Sequence, residues 1–292
     1  ITIYSPQHAV QLAKRAMSDA FAMPQSKIRV ISQVVGGGFG GKEDSTFDVS
    51  VIAGVLAIKT QRPVYYEFTR DEVFKNTGKR HPSHIHHILA AKKDGTVTGI
   101  KVEAFVDKGA YKSIDAIPSR IVQYAGGPYA IANAYCHSVS VFTDHPYGCA
   151  FRGLGSPQAH FAMECQMDEL AQRLSMDPVE LRRKNMLRDG DTTIWNQPML
   201  EERGLGLEEC IDRVTKDEKF NAPLDNSDPY IKRGRGIACF MYGTGTGSIT
   251  DGAHVMVQVQ PDGSVNIGVS ASELGQGFII AMKQIAADTL GV

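Results

Sequence analysis

The chain has 292 residues, of which 42% are hydrophobic, and its formal net charge at pH 7 is −1. This length and apolar content allow one large or two modest hydrophobic cores. The near-neutral charge argues against nucleic acid or an anionic membrane as a partner, and no apolar run reaches the ~18 residues that a membrane-spanning helix needs.

Helical and strand patterns alternate over the first half of the chain. Apolar residues at helical spacing, such as Val10, Ala13 and Met17, predict helices, and short apolar or alternating runs predict strands. An Asp94-Gly95 pair between two alternating runs predicts a hairpin turn. The predicted elements are a strand at 1–7, a helix at 8–23, a strand at 27–35, a helix at 45–60, a strand at 63–69, a short helix at 70–76, a hairpin at 84–107 and a strand at 135–144.

The second half begins with helices and ends with a meander. Helices are predicted at 156–175, 177–187 and 207–220, followed by a strand at 236–243, a hairpin at 253–270 and a last helix from 277. The polar, proline-containing stretch 188–235 predicts a domain or subdomain boundary. Because hairpins and helices occur in separate runs, the pattern favours an α+β fold, with mixed sheets and packed helices, over a doubly wound sheet.

Both ends of the sequence have the character of interior segments. A strand pattern begins at residue 1, and the last predicted helix reaches the final residues. Natural termini are usually polar and frayed. We therefore expect a fragment of a longer protein, or one subunit of a site that is divided between chains.

The cysteine pattern excludes several classes of metal and redox protein. No two cysteines form a C-x-x-C pair, which argues against a zinc ribbon, an iron–sulfur site and a thioredoxin-like centre in this chain. Scattered cysteines in odd number are typical of a reducing compartment, so we expect a cytoplasmic location. The five are Cys136, Cys149, Cys165, Cys210 and Cys239.

Three glycine-rich turns punctuate the chain, at 36–41, 151–155 and 272–277, and a fourth is expected at 243–247. Glycine lets backbone amides approach a ligand closely. The first and third turns are expected to lead into helices, whose free N–H groups suit an anionic ligand. Several such turns in one chain indicate a binding site more strongly than any one of them alone.

The first of these turns also satisfies the dinucleotide-binding fingerprint, through Gly36, Gly38 and Gly41. Glu43 and Asp44 follow it directly, however, and two carboxylates at that place would repel a pyrophosphate. The dinucleotide interpretation is therefore disfavoured.

Several motifs occur together in an order that resembles one known family. The sequence resembles, from about residue 7 to its end, the molybdopterin-binding region of the xanthine dehydrogenase and aldehyde oxidase family, and most closely xanthine dehydrogenases. The resemblance implies a molybdenum-cofactor-binding fold with a first subdomain at 1–187, an irregular connecting segment at 188–235 and the start of a second, truncated subdomain at 236–292. The motifs are GGGFGGKE (36–43), GKRHP (78–82), CAFRGLGSPQAHFAMECQMDELA (149–171), VELRRKNML (179–187) and ELGQG (273–277).

The resemblance implies contacts to a molybdenum–molybdopterin cofactor at five positions. Gln7 matches a glutamine that hydrogen-bonds an oxygen ligand of molybdenum, and Phe39, with the amides around Gly38, matches the residue beside the metal. Arg152 matches an arginine near the metal, and Gln276 matches a contact on the pterin side. In this family the pterin dithiolene binds the metal, so no residue of the chain is expected to be a direct metal ligand.

Three further positions match the family's substrate site. Glu43 matches a glutamate that hydrogen-bonds the purine ring, and Arg120 lies at the spacing before Arg152 that is typical of the substrate arginine. A carboxylate and a guanidinium across a pocket suit the donors and acceptors on the edge of a purine. Leu154 stands where xanthine dehydrogenases usually have a phenylalanine, which weakens planar stacking on a substrate ring.

The implied activity is hydroxylation of a purine or related N-heterocycle, with oxygen derived from water and two electrons passed to molybdenum. The electrons would leave through 2Fe–2S clusters to FAD on other domains or subunits. The family's catalytic glutamate lies beyond residue 292, so no catalytic residue is expected in this chain, which by itself is expected to be inactive. The alternatives are an aldehyde- or nicotinate-type molybdenum hydroxylase and a non-catalytic cofactor-binding or assembly module.

Without the resemblance, the same residues have plain structural interpretations. Glu43 would cap the helix at 45–60, and Arg120 would be a surface or salt-bridged arginine. The histidines at 81–87 are expected to line a solvated strand face rather than a metal site. Trp195 is expected to anchor the irregular segment to the core.

Overall fold

The computed structural model describes residues 1–113, 116–200, 204–243 and 252–292. The predicted turn at 243–247 therefore lies almost wholly outside the described residues. In chain order the elements are β1 (Thr2–Ser5), α1 (Val10–Phe21), a short 3-10 helix (Gln25–Lys27), β2 (Arg29–Ser32), α2 (Phe47–Thr60), α3 (Arg70–Asn76), β3 (Ser83–Ala91), β4 (Val97–Gly109), α4 (Ile117–Tyr124), β5 (Asn133–Phe142), α5 (Ser156–Leu174), α6 (Pro178–Asn185), α7 (Leu207–Lys216), α8 (Glu218–Asn221), β6 (Val255–Val259), β7 (Val265–Val269) and α9 (Phe278–Leu290).

Within the described ranges, the strands form three small sheets that mix parallel and antiparallel pairing. β1 pairs with β2 in parallel, and β6 pairs with β7 as an antiparallel hairpin. In the three-stranded sheet, the central strand β4 is antiparallel to β3 and parallel to β5. Sheets of both kinds packed with helices confirm the predicted α+β class.

The main core lies between the β4 sheet and helices α5 and α6. Alternate residues of β4, including Ile100, Val102 and Val106, are buried, because successive side chains of a strand point to opposite faces. Met163 and Met167 of α5 pack against this face. The last part of β4 extends the core toward α4, and a separate cluster joins β1 and β2 to α1 and α2.

Two predicted strands are not strands in the structure. Residues 63–69 keep the alternation of exposed and half-buried side chains, but their backbone pairs with no other described segment. Residues 236–243 likewise form no ladder. A side-chain pattern shows that a segment is extended, whereas a strand also needs a neighbour for its N–H and C=O groups.

The helices that follow the glycine turns also differ from the prediction. The turn at 36–41 does not lead directly into a helix, because residues 42–46 separate it from α2. The second turn does so instead, with Gly155 as the N-cap residue of α5. The third turn leads into α9 through Gly277, as expected. No helix in the described part of the chain is long and apolar enough to cross a membrane.

Candidate cofactor site

Three glycine turns meet at one place on the surface. We call them turn 1 (36–41), turn 2 (151–155) and turn 3 (272–277). The main-chain N–H of Arg152 in turn 2 donates to the carbonyl oxygen of Phe39 in turn 1, at 2.9 Å. A Cβ atom on Gly40 would lie 2.4 Å from the carbonyl oxygen of Ala150, so the two backbones touch where Gly40 has no side chain.

Turn 3 completes the group from the other side. A Cβ atom on Gly38 would lie 3.1 Å from Cδ1 of Leu274, which places turn 3 directly against turn 1. The Ser272 hydroxyl donates to the carbonyl oxygen of His8 at 2.9 Å. The N–H of His8 in turn donates to the carbonyl oxygen of Lys42 at 2.8 Å, just after turn 1. His8 therefore connects the two turns.

The exposed side of turns 1 and 2 presents an aromatic ring and cations. Phe39 has a left-handed backbone (φ 52°), and its side chain is 63% exposed. The guanidinium carbon of Arg152 lies 5.5 Å from the centre of its ring. Arg80 supports turn 2 by donating from Nη2 to the carbonyl oxygen of Arg152 at 2.8 Å. Its own guanidinium stacks on Phe151, with the carbon 4.6 Å from the ring centre.

Gln7 lies beneath turn 1 and is completely buried. Its amide nitrogen donates to the hydroxyls of Thr46 and Ser5. Its amide oxygen is buried and makes no hydrogen bond with a described residue, and the same is true of His8 Nδ1 and of Asp44 Oδ1, which follows turn 1. Buried polar atoms without partners are unusual and call for an explanation such as a bound group.

Glu43 is half-buried just after turn 1 and does not cap a helix. Thr46 is the N-cap residue of α2, and the acidic residue in the first turn of that helix is Asp48, so the capping interpretation is wrong. Burial raises the pKa of Glu43 above the ordinary glutamate value; His8 opposes the rise and Asp44 adds to it. A carboxyl group whose charge is disfavoured by its surroundings is typical of a functional site.

Arg120 is buried in α4, so it is not the surface arginine of the plain interpretation. Its Nη1 atom donates to the Tyr124 hydroxyl at 3.1 Å and to Gln123 Oε1 at 3.2 Å. The guanidinium carbon lies 5.9 and 5.6 Å from the rings of Tyr124 and Tyr242, which are stacked on each other. Leu154 packs against the hydrophobic cluster to which Tyr124 belongs.

Arg120 lines a cavity of about 1320 Å³, together with Trp195, Tyr242 and the segment around Cys210. None of the residues of turns 1 to 3 lines this cavity. Arg120 nevertheless adjoins turn 2, because a Cβ atom on Gly155 would lie 3.2 Å from the Arg120 Cβ. Gly38, Phe39 and Arg152 come together where the turns meet, whereas Arg120 faces the cavity. Trp195 packs edge-on against Tyr124, 5.8 Å between ring centres, and anchors the irregular segment as expected.

The side chain of Gln276 folds back onto its own turn. Its Oε1 accepts from the N–H of Leu274 at 2.6 Å, and its Nε2 donates to the carbonyl oxygen of Ser272 at 2.9 Å. Sequence reasoning did not single out its neighbour Glu273 or the connecting residue His8. Their signal was weak, because the sequence shows a residue beside a motif and not the hydrogen bonds that it makes.

The prediction of a solvated strand face is confirmed for two of the histidines at 81–87 and is wrong for His81, which is buried just before β3. His84 and His86 are exposed on one face of β3, and His87 is half-buried on the other. Among the described residues, no group of three or more His, Cys, Asp or Glu side chains is arranged to hold a metal ion.

Comparison with known proteins identifies the family. Sequence profiles described as molybdopterin cofactor-binding domains match residues 1–186 and 209–292. The chain belongs to this family. It is 32% identical, over all of its length, to the xanthine dehydrogenase molybdenum-binding subunit of Escherichia coli O157:H7, and it spans 39% of that relative.

Two further comparisons extend this assignment. The nicotinate dehydrogenase large molybdopterin subunit of Eubacterium barkeri is 37% identical over 194 residues, which are 66% of this chain and 45% of that relative. The structure of the aldehyde oxidoreductase from Desulfovibrio desulfuricans superposes with a TM-score of 0.80 and 32% identity, covering 91% of this chain and 29% of that one. The chain spans less than half the length of each of these relatives.

The residues where the three turns meet fit a pterin cofactor of this kind. Backbone approach at Gly38 and Gly40, an exposed ring at Phe39 and a cation at Arg152 suit a flat, anionic group. The unpartnered oxygen of Gln7 adds a buried acceptor beneath them.

Proposed function

We propose that the complete protein is a molybdenum hydroxylase that oxidises a purine or related N-heterocycle. The observation that carries this proposal is the convergence of three glycine turns in a chain of the molybdopterin cofactor-binding family. The cofactor, when bound, supplies oxygen transfer to the substrate and accepts two electrons. We place the protein in the cytoplasm, because its scattered cysteines suit a reducing compartment.

The chain's own residues would contact the flat face of the pterin and the anionic end of the cofactor. Phe39 offers a ring, the amides around Gly38 offer donors, and Arg152 offers a positive charge. Gln276 would contact the pterin side, for which its amide must leave the bonds that it makes within turn 3. Gln7 would act from beneath, because its side chain is fully buried.

Three residues would select the substrate. Glu43 would accept from or donate to the ring edge, since its raised pKa brings the protonated form closer to neutral pH. Arg120 would donate to the substrate from its position between Tyr124 and the cavity. Leu154 would supply an apolar contact in place of a stacking ring.

A second candidate is a hydroxylase of aldehydes or of nicotinate-like rings. The resemblance to the nicotinate dehydrogenase subunit and to the aldehyde oxidoreductase favours it. Substrate profiling of the complete enzyme distinguishes the two: turnover of purines with Glu43 and Arg120 required would support the first, and turnover of aldehydes unaffected by their replacement would support the second.

The partners we propose are 2Fe–2S and FAD domains or subunits and the remainder of the molybdopterin-binding region. A non-catalytic cofactor-binding or assembly module is the alternative from a different class. The experiment is molybdenum and pterin analysis of the complete protein from its native host, followed by turnover assays of Glu43→Ala and Arg120→Ala. About one molybdenum and one pterin per chain with no turnover of any of these substrates would support the module; absence of both would refute the proposed function.

A further inference from the structure

The carboxylate of Glu273 sits inside turn 3 and accepts hydrogen bonds from three main-chain N–H groups. Its Oε1 accepts from Gly275 at 2.8 Å and from Gly277 at 3.1 Å. Its Oε2 accepts from Ile279 at 2.9 Å. One side chain thus ties both glycines of the motif to the first turn of α9.

These hydrogen bonds restrict the backbone conformation at the two glycines of turn 3. Gly275 and Gly277 have φ angles of 104° and 81°, a region in which glycine has no preference and which therefore costs conformational entropy to hold. Leu274, between Glu273 and Gly275, is the residue that packs against Gly38 of turn 1. The carboxylate therefore restrains the part of turn 3 that carries Leu274 against turn 1.

The charge of Glu273 is compensated within the turn itself. The backbone hydrogen bonds, that of Ile279 first and that of Gly275 next, hold the pKa of Glu273 below its ordinary value, so the side chain is ionised at neutral pH. A charge-assisted bond from an N–H group at a helix N-terminus is stronger than a neutral one.

We propose that Glu273 is a positioning residue for the molybdenum cofactor, acting through turn 3 and Leu274 rather than by contact with the cofactor. This inference rests on cofactor binding as proposed above.

The test compares Glu273→Ala and Glu273→Gln in the complete protein. Molybdenum and pterin content per chain are measured, together with the thermal midpoint of unfolding. Glu273→Ala should retain less than about a tenth of the wild-type cofactor, because all three N–H groups lose their acceptor. Glu273→Gln should retain an intermediate amount, since its one carbonyl oxygen can still accept from Gly275 and Gly277.

Asp262→Ala provides the matched control. Asp262 also accepts from a nearby main-chain N–H, that of Ser264 at 2.9 Å, but it lies in the hairpin turn between β6 and β7. Its replacement should leave the cofactor content unchanged. If Glu273 had a merely structural role, Glu273→Ala and Glu273→Gln would both lower the thermal midpoint of unfolding. The cofactor content of the folded protein would then stay at the wild-type level.

The outcomes separate the two proposals. Wild-type protein without molybdenum and pterin refutes the proposed function and this inference together. If the wild-type protein contains cofactor and Glu273→Ala contains as much or more, the inference alone is refuted. A higher cofactor content in Glu273→Ala would mean that the carboxylate competes with the cofactor. If Glu273→Ala does not fold, Glu273→Gln decides: full wild-type loading overturns the inference, and partial loading supports it.

Discussion

The N–H group of Arg152 donates to the carbonyl oxygen of Phe39 at 2.9 Å, which joins the backbones of turn 1 and turn 2. The side chains of the same two residues also meet, as guanidinium and ring. The candidate cofactor surface is therefore built on direct contact between main chains, and residues without a Cβ atom decide whether that contact forms.

Gly40→Ala should separate turns 1 and 2. The new Cβ would lie 2.4 Å from the carbonyl oxygen of Ala150, and the φ of 94° disfavours any side chain. We expect a loss of about 2–4 kcal/mol in stability and of most bound cofactor, measured by denaturation and by molybdenum content. Gly36→Ala is the control, because no described residue other than its chain neighbours has an atom within 4 Å of its Cβ position. Equal effects of the two substitutions would contradict the role given to Gly40.

Glu43→Gln should stabilise the protein increasingly as the pH rises. The folded-state pKa of Glu43 is raised above its ordinary value of 4.5 by burial, against the effect of His8. The favourable contribution of its protonated form is fully present below the ordinary pKa and is lost as the pH rises through the raised value. Thermal unfolding of both proteins between about pH 4 and 7 measures the difference.

Glu103→Gln is the control of opposite sign for that experiment. The hydrogen bond from Lys101 lowers the pKa of Glu103, so its contribution is present above the ordinary pKa and is lost as the pH falls. If the stability difference between Glu43→Gln and the wild type did not grow with pH, the pKa of Glu43 would not be raised by burial in the folded protein.

Tyr124→Phe should weaken substrate binding in the complete enzyme. The Tyr124 hydroxyl accepts from Arg120 at 3.1 Å and from the N–H of Gly243 at 2.9 Å. Loss of the Arg120 bond, worth about 0.5–1.5 kcal/mol, should raise KM for the proposed N-heterocycle substrate roughly 3- to 10-fold, with kcat changed less than about 2-fold. Tyr135→Phe, at an exposed tyrosine of β5, is the control. An unchanged KM would mean that Arg120 is positioned without this hydroxyl.

Arg182→Ala should destabilise the main core. The fully buried guanidinium donates to Glu164 and to Asp168, in each case at 2.8 Å. Removing it leaves the Glu164 carboxylate buried without its cation, at an expected cost of about 3–5 kcal/mol. Arg213→Ala breaks an exposed pair with Glu209 and should cost less than about 0.5 kcal/mol. Chemical denaturation measures both, and similar losses would contradict the assignment of a buried ion pair.

Elements with strong local patterns could be predicted from the sequence. The hairpin of β3 and β4, with its Asp94-Gly95 turn, and helices α1 and α5 follow from spacing and turn chemistry within a few residues. The prediction was wrong for 63–69 and 236–243, because a strand depends on a partner that the local sequence does not contain.

The sequence by itself determined the family, the α+β class and the three glycine turns, since motif order and local periodicity are properties of the chain. Only the tertiary structure decided that Gly40 meets Ala150, that Leu274 meets Gly38, and that Glu273 accepts from the N–H groups of Gly275 and Gly277. It also placed Arg120 against Gly155 of turn 2, at a cavity that no residue of turns 1 to 3 lines. These relationships join residues far apart in the chain, and the packing of helices on sheets brings such residues together.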